Sequence, residues 1–556
     1  MLTLVRFLLV SLSIAAILGE ATIHLRQERL DIMTNGLGLD GAYDATLDRI
    51  KGQGKGKSAL AMAALMWISR SERPMRVGEL CEALAVKTGS RDLERDNIPS
   101  EKTLLGSCLG LVTIDSSSTV RLVHFTLQEY FNSHSEHFEN PESTMAEICL
   151  TYLHFETVNK LSHNLHEAPL ETRLLQYASS YWGLYAKTGL TEGVKLLALQ
   201  LLGKFGRHIS ANLVLRQESK NEVGGWRHSE GFTGLHCVAY LGLDEIAIAL
   251  LDLGEGSGID IVDGIGRTPL SWAAEGGHEE MVRLLLNRKG VDPDSGDSRG
   301  RTPLYWAGGH EGIVKLLLDR KEVNPDSRNN YNETPLMYAA QDGHEKIVKL
   351  LLDRKEVNPD SRDSRGRTPL YWAGGHEGIV KLLLDRKEVS PDSRDNNDQT
   401  PLLCAAQGGH EGIVRFLLDR KEVNPDSRDN NDQTPLLCAA QGGHEGIVKL
   451  LLDRKEVNFN PRANYGLTAL RWAAQHGNKG IVKLLQDRTD AESGTWANYT
   501  SIPLFHLLAN IYEWLAVSLS PSSPGVAPNF VPHTAIAAAG IAVIAAILAI
   551  TIRWWL

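Results

Sequence analysis

The sequence predicts a mainly α-helical protein, most of it a solenoid of repeated helix pairs, and two observations carry that expectation. A Thr-Pro-Leu tripeptide or a near relative opens a unit at Thr233, Thr268, Thr302, Thr334, Thr368, Thr400, Thr434 and Thr468, at intervals of 35, 34, 32, 34, 32, 34 and 34 residues. Fixed periods of this length mark stacked repeat architectures. Each unit then runs through Ala-rich residues, a Gly-His step and an Ile-Val-Lys-Leu-Leu-Leu-like run, as in "TPLSWAAEGGHEEMVRLLL". That pattern reads as two short helices joined by a Gly turn, with a polar loop returning to the next Thr-Pro.

Residues 1–58 read as a helical remnant and linker. In "MLTLVRFLLVSLSIAAILGEA", Arg6 precedes an apolar run from Phe7 to Leu18, with small Gly19 and Ala21 behind it, as in a secretory leader. The run continues into the charged helical segment "HLRQERLDIMTNGLGL", which favours a core helix instead. In "KGQGKGKSAL", Gly56-Lys57-Ser58 looks like the end of a phosphate-binding loop. The position that needs the first glycine is Lys51, starting from Gly52 leaves the loop one residue short, and no β-branched strand precedes it. This stretch reads as a basic, Gly-rich linker into Ala59.

Residues 59–135 carry three helical patterns, "LAMAALMWI", "RVGELCEALAV" and "SEKTLLGSCLGLV", then a strand-turn-strand at "VTIDSSSTVRLVHF". Three helices followed by a hairpin are the order of a winged-helix module. Residues 136–230 read as a helical connector, and 231–488 as the repeats. There the prolines at 269, 303, 335, 369, 401 and 435 fall in the first helical turn, where a missing N–H costs nothing, and the preceding Thr can cap the helix. Second helices such as Ile313, Val314, Leu316, Leu317 and Leu318 are apolar on faces that only a neighbouring repeat can cover. Two units, at Thr302 and Thr368, read "TPLYWAGGHEGIV" and lack two residues between Ala and His, so their first helix must end early or its turn must tighten. Lys-Glu in "DRKEVNPD" replaces a favoured C-cap glycine. Thr302 to Thr368 and Thr334 to Thr400 are both 66 residues apart, the trace of a duplicated two-repeat block.

Residues 489–533 read as a linker, and "TAIAAAGIAVIAAILAITI" from Thr534 to Ile552 as a C-terminal transmembrane helix: nineteen uncharged residues span roughly 28 Å, with Trp554 and Trp555 behind them. The expected localisation is therefore a tail-anchored membrane protein with its repeats cytoplasmic. The alternative is the secretory pathway, with cleavage near Gly19 and glycosylation at Asn498. Six scattered cysteines fit neither a disulfide framework nor a zinc site, and a net charge of -10 argues against a broad nucleic-acid surface.

The repeat units closely resemble the ankyrin repeat, about eight copies over 231–488. The phrases "ALMWISRSERPMRVGELCEALAV", "LLGSCLGLVTID", "VRLVHFTLQEYF" and "STMAEICLTYL" resemble the winged-helix segment and connector of fungal NACHT-ankyrin proteins, which are similar to NOD-like receptors. Those proteins carry an NTPase domain ahead of the winged helix, and this chain lacks it. The ankyrin resemblance implies that the second residue after each Thr-Pro-Leu points into the concave groove: Trp272, Trp306, Tyr338, Trp372, Cys404, Cys438 and Trp472. An aromatic stripe there suits a partner-binding hot spot, and it equally suits packing that stiffens the stack. Arg328, Asp363 and Arg365 would form a polar rim. His278, His310, His344, His376, His410 and His444 read as turn residues bonding backbone carbonyls rather than as a metal ladder. "SEKTLLGSCLG" suits packing better than phosphate contact. The expected function is a non-catalytic scaffold that binds a protein partner and is tethered through its C-terminal helix, with no cofactor, metal, small-molecule substrate or nucleic acid. The alternative is a truncated fragment of a NACHT-type signalling NTPase.

Overall fold

The structure is a computed structural model that describes residues 22–24, 39–162, 165, 168–218, 231–254, 258–461 and 468–493. The elements below lie in one compact unit reaching Leu485; of a second unit, Gln486–Leu556, only residues 486–493 fall among those described. The first helix, α1 (Leu39–Lys51), is followed by α2 (Lys55–Arg70), α3 (Val77–Ala85) and α4 (Glu101–Ser107). The hairpin β1 (Val112–Ile114) and β2 (Val120–Leu122) comes next, then α5 (Phe125–Ser133). The strands pair antiparallel, Thr113 opposite Arg121, around a turn in which Asp115 Oδ1 accepts from the N–H of Ser117 and of Thr119. Three helices and a hairpin thus follow in the order that the sequence predicts.

Gly56-Lys57-Ser58 lies in the first turn of α2, which begins at Lys55 behind an N-cap Gly54, rather than in a flexible linker. Burial of Ala61, Ala64, Leu65 and Trp67 on the same helix outweighs the poor helix propensity of glycine. Glu79 opens α3 by accepting from the N–H of Arg76 and from both arms of the Arg73 guanidinium, at 2.6–2.8 Å. Buried Glu82 accepts from the Tyr152 hydroxyl at 2.7 Å and the Leu174 N–H at 3.0 Å. It ties α3 to α6 (Pro141–Leu153) and to Leu174, the N-cap of α7 (Leu175–Thr188). The last connector helices, α8 (Glu192–Leu202) and Ile209–Glu218, lead to the repeats.

In the repeats, Thr268, Thr334, Thr368, Thr400, Thr434 and Thr468 cap the first helices through their side-chain oxygens. Full first helices span Pro269–Glu275, Pro335–Gln341, Pro401–Gly408 and Pro435–Gly442, whereas Pro303–Trp306 and Pro369–Trp372 have only four residues. The two-residue deletions therefore end the helix early. Second helices such as Glu311–Leu318 bury Ile313, Val314, Leu317 and Leu318, each worth about 1.5–3 kcal/mol when removed from water.

Two polar ladders join the repeats. In the loops Asp263, Asp297, Asn329, Asp363, Asp395 and Asp429 each accept, through one side-chain oxygen, the backbone N–H groups two and four residues on, at 2.8–3.0 Å. The turns so fixed bond to one another through backbone pairs at 2.7–3.0 Å, from Ser298 N–H to Ile265 C=O through to Asn430 N–H to Asn397 C=O. At the ends of the second helices, Arg288, before Lys289-Gly290, and Arg354, Arg386, Arg420 and Arg454, before Lys-Glu, reach the Asp one repeat back, at 2.8–3.7 Å. Exposed pairs contribute about 0–1 kcal/mol each. The helices stop without a left-handed residue: Asp319 at the C-cap is right-handed.

The expected C-terminal transmembrane helix, and the tail-anchored localisation built on it, are corrected. Residues 534–552 lie outside those described, and among the described residues no helix is long and apolar enough to cross a membrane. The longest, α2, has 16 residues, about 24 Å of rise, and carries Lys55, Lys57 and Arg70. Among the described residues the fold class is mainly helical, a winged-helix order of elements followed by stacked helix-pair repeats. The N-terminal apolar run to Leu18 and the acceptor Asn498 also lie outside the described residues.

One loop position recurs as a half-buried acid. Burial pushes the carboxyls of Asp260, Asp294, Asp326, Asp360 and Asp392 upward, that of Asp294 to about 6, and Asp294 Oδ1 is buried without a hydrogen-bond partner. A carboxyl with a raised native pKa contributes stability that is fully present below its unfolded value, about 3.9, and lost as pH rises through 6. Asp294→Asn is therefore expected to be more stable than wild type at pH 7, by about 1 kcal/mol after discounting for solvent screening. The gap should close by pH 4. Urea midpoints of both chains across that range check it, and the difference cancels the opposite pull of buried His208, held down to about 4.

Candidate protein-binding face

The first helices present the predicted stripe unevenly. Trp272 is 0% exposed and Cys438 2%, so neither offers a surface, whereas Trp306, Tyr338, Trp372, Cys404 and Trp472 are half-buried. The tryptophans are stacked by arginines. The Arg267 guanidinium lies 3.9 Å from the ring centres of both Trp272 and Trp306, Arg301 lies 4.1 Å from Trp306, and Arg367 lies 3.9 Å from Trp372. These arginines were missed in the sequence, although a signal stands there: "RTPL" occurs at the three units that carry Trp272, Trp306 and Trp372, and is absent from the units that carry Tyr338, Cys404 and Cys438.

The short units change the wiring of the stack. In the full unit, fully buried Arg267 donates to Glu275 Oε2 at 2.6 Å, and Asp263 Oδ2 accepts the Trp272 indole N–H at 2.9 Å. The short units lack a counterpart of Glu275. Arg301 and Arg367 turn instead to Asp297 and Asp363, at 2.8 and 2.7 Å. The indole nitrogens of Trp306 and Trp372 are buried without a hydrogen-bond partner.

The missing turn also opens a notch, and the repeat that follows decides whether it is filled. At Gly308 a Cβ would stand 2.6 Å from the ring of Tyr338, which packs on Tyr305 with ring centres 4.6 Å apart. At Gly374, in the same sequence context, the residue equivalent to Tyr338 is Cys404, and a Cβ would meet only the Tyr371 carbonyl, at 3.2 Å. This notch lies beside half-buried Tyr371, Trp372 and Cys404. Burial pushes the Cys404 thiol up to about 11, so at neutral pH it is a packing group rather than a nucleophile.

The histidines divide along the same line. Nε2 of His278, His310, His376 and His444 lies 2.8–3.2 Å from the carbonyls of Tyr240, Glu275, Gln341 and Gln407 in the preceding unit. His344 and His410 follow the short units and make no such bond. Among the described residues no group of three or more His, Cys, Asp or Glu could hold a metal ion. In α4, Glu101 and Lys102 are exposed while Leu104 and Ser107 are buried. Of the three loop residues expected to form a polar rim, Asp363 is a buried turn organiser, whereas Arg328 and Arg365 are exposed.

With this geometry agree the comparisons. The family model of ankyrin repeats (3 copies) matches residues 186–297, 235–329, 309–395, 355–429, 376–463 and 421–495, together more than half of the 556 residues. The chain belongs to the ankyrin-repeat family. The model of the GPI inositol-deacylase winged helix domain matches residues 47–164. Among curated proteins the chain is similar to Ankyrin repeat domain-containing protein 63 of Homo sapiens, 44% identical over 55 residues that make up 10% of this chain and 14% of that protein. It is also similar to Rabankyrin-5 of Mus musculus, 32% identical over 88 residues, 16% of this chain and 7% of that one. The chain thus spans a small fraction of the length of these relatives.

Proposed function

We propose that this chain is a non-catalytic scaffold whose first-helix face captures a protein partner, with the open notch at Gly374 as the anchoring point. The observation that carries this reading is the contrast between two copies of one sequence: the notch at Gly308 is filled by Tyr338, whereas that at Gly374 is left open beside Cys404. A partner's apolar side chain seated there would cover Tyr371 and Trp372, burying aromatic surface at low entropic cost. Tyr338 extends the contact to the neighbouring unit, with Trp306 and Trp472 further along the array. Cys404→Tyr copies the closed arrangement of Tyr338 and is expected to reduce recovery of proximity-labelled partners about tenfold, the effect of losing roughly 1.4 kcal/mol of binding. The thermal midpoint should stay unchanged or rise. Equal partner recovery with the notch filled would sink the reading.

A second reading is supported by the winged-helix match ahead of the repeats: the chain is the recognition half of a NACHT-type signalling NTPase. An upstream open reading frame with a complete phosphate-binding loop supports it, and an upstream region without one speaks against it.

A further inference from the structure

Four successive loops place an arginine at one position, directly after the Pro-Asp-Ser that ends each polar loop: Arg328, Arg362, Arg394 and Arg428. All four are exposed, in a chain of net charge -10. Their setting is rigid. The backbone pair from Asn396 N–H to Arg365 C=O joins neighbouring turns at 2.8 Å. Arg362 Nη1 donates to the carbonyl of Arg394 at 2.6 Å, and Arg394 Nη1 to that of Arg428 at 3.2 Å. Each of these bonds uses one arm of a guanidinium and fixes the direction of the rest. The neighbouring acids hold the row loosely: Asp326 is 3.7 Å from Arg328, Asp398 is 3.9 Å from Arg394 and Asp432 is 3.6 Å from Arg428. Exposed pairs of that length are weak enough for an incoming carboxylate to displace. Arg365 in the Arg362 loop and Arg299 in the loop that precedes the row, also exposed, add two more cations.

We infer that this row binds an extended acidic peptide segment with a carboxylate at every third residue. The inference rests on the protein-binding reading above and names a partner class for the loop edge. Stacked helices stand about 8–10 Å apart, so equivalent arginines recur at about that interval. An extended chain advances about 3.3 Å per residue, so every third side chain meets the next arginine on the same edge. Guanidinium and carboxylate match as planar, charge-assisted pairs. A nucleic-acid duplex fits less well, because the phosphates of each of its strands rise only about 3.4 Å per nucleotide along the axis, nearly three to each arginine.

The test uses the full chain and two fluorescein-labelled twelve-residue peptides of one composition, one with four Glu-Ser-Thr triplets and the other with its four Glu residues in one block. Fluorescence anisotropy is expected to show the triplet peptide binding about tenfold more tightly than the block peptide. Raising the salt should weaken it, and the double variant Arg362→Gln, Arg394→Gln should lose about tenfold. Because those two arms also bond loop carbonyls, Arg328→Gln with Arg428→Gln, which leaves both bonds in place, is measured beside it and should show a similar loss. Equal binding of the two peptides, indifference to both double variants, or stronger binding of a dT12 oligonucleotide would overturn the inference. Such a failure leaves the groove reading to its own experiment, since Cys404→Tyr does not touch the row.

Discussion

Trp272→Ala is expected to unfold the first repeats at much lower urea than wild type, at a cost of about 3–5 kcal/mol, the range for removing a fully buried aromatic. Trp272 sits edge-on to Phe232 and Tyr240, with ring centres 5.4 and 5.6 Å away, carries the Arg267 guanidinium on its face, and donates its indole N–H to Asp263. Contacts with four partners are lost together, and the indole leaves a cavity lined by groups from two repeats. Trp372→Ala serves as the comparison: half-buried and stacked by Arg367 alone among arginines, it should cost about 1–2 kcal/mol, within the usual range for point substitutions. Urea titrations followed by far-ultraviolet circular dichroism read both. Equal midpoints for the two variants would show that burial of Trp272 contributes nothing special.

Glu275→Ala should be almost as damaging, because it removes the carboxylate 2.6 Å from a guanidinium with 0% side-chain exposure. Breaking one side of a buried ion pair typically costs about 3–5 kcal/mol, most of it the desolvation of the charge left behind. Glu275→Gln keeps an acceptor oxygen and should fall between the two. The double replacement Arg267→Met, Glu275→Leu removes both charges and should recover most of the loss. Urea midpoints of the three chains decide it: a double variant no better than Glu275→Ala would mean that the pair matters for its shape and not for its charge.

Much of this fold is legible in the sequence because its rules are local. Thr at six unit starts caps a helix, the Ala-to-His deletions shorten one, and at four of six units the histidine meets a carbonyl one unit back. The helical start at Lys55 was hidden because Gly54 and Gly56 argue for a linker on propensity, and the burial that overrides them involves residues further along α2. The face was only half legible. The choice of the second residue after Thr-Pro-Leu identifies a stripe, but how far each tryptophan is covered depends on stacked arginines, of which Arg267 also reaches Trp306 in the next unit, and on what fills the next notch. That difference between Gly308 and Gly374 is written in Tyr338 and Cys404, a whole repeat away. The arginines that cross from one second helix to the previous one were invisible for the same reason, since no single unit contains both partners.

The alternation of short and full first helices constrains how such an array can change in length. A short unit hands the next one a histidine without its carbonyl and a notch to fill, whereas a full unit hands on neither. Losing the full unit at Thr334 would set two short units together, a junction that the present repeats do not contain. Losing or copying a 66-residue pair, such as Thr302 to Arg367, rejoins surfaces that already meet. Changes in length of this array should therefore keep a full unit between any two short ones, whereas full units can stand side by side, as those at Thr400 and Thr434 already do.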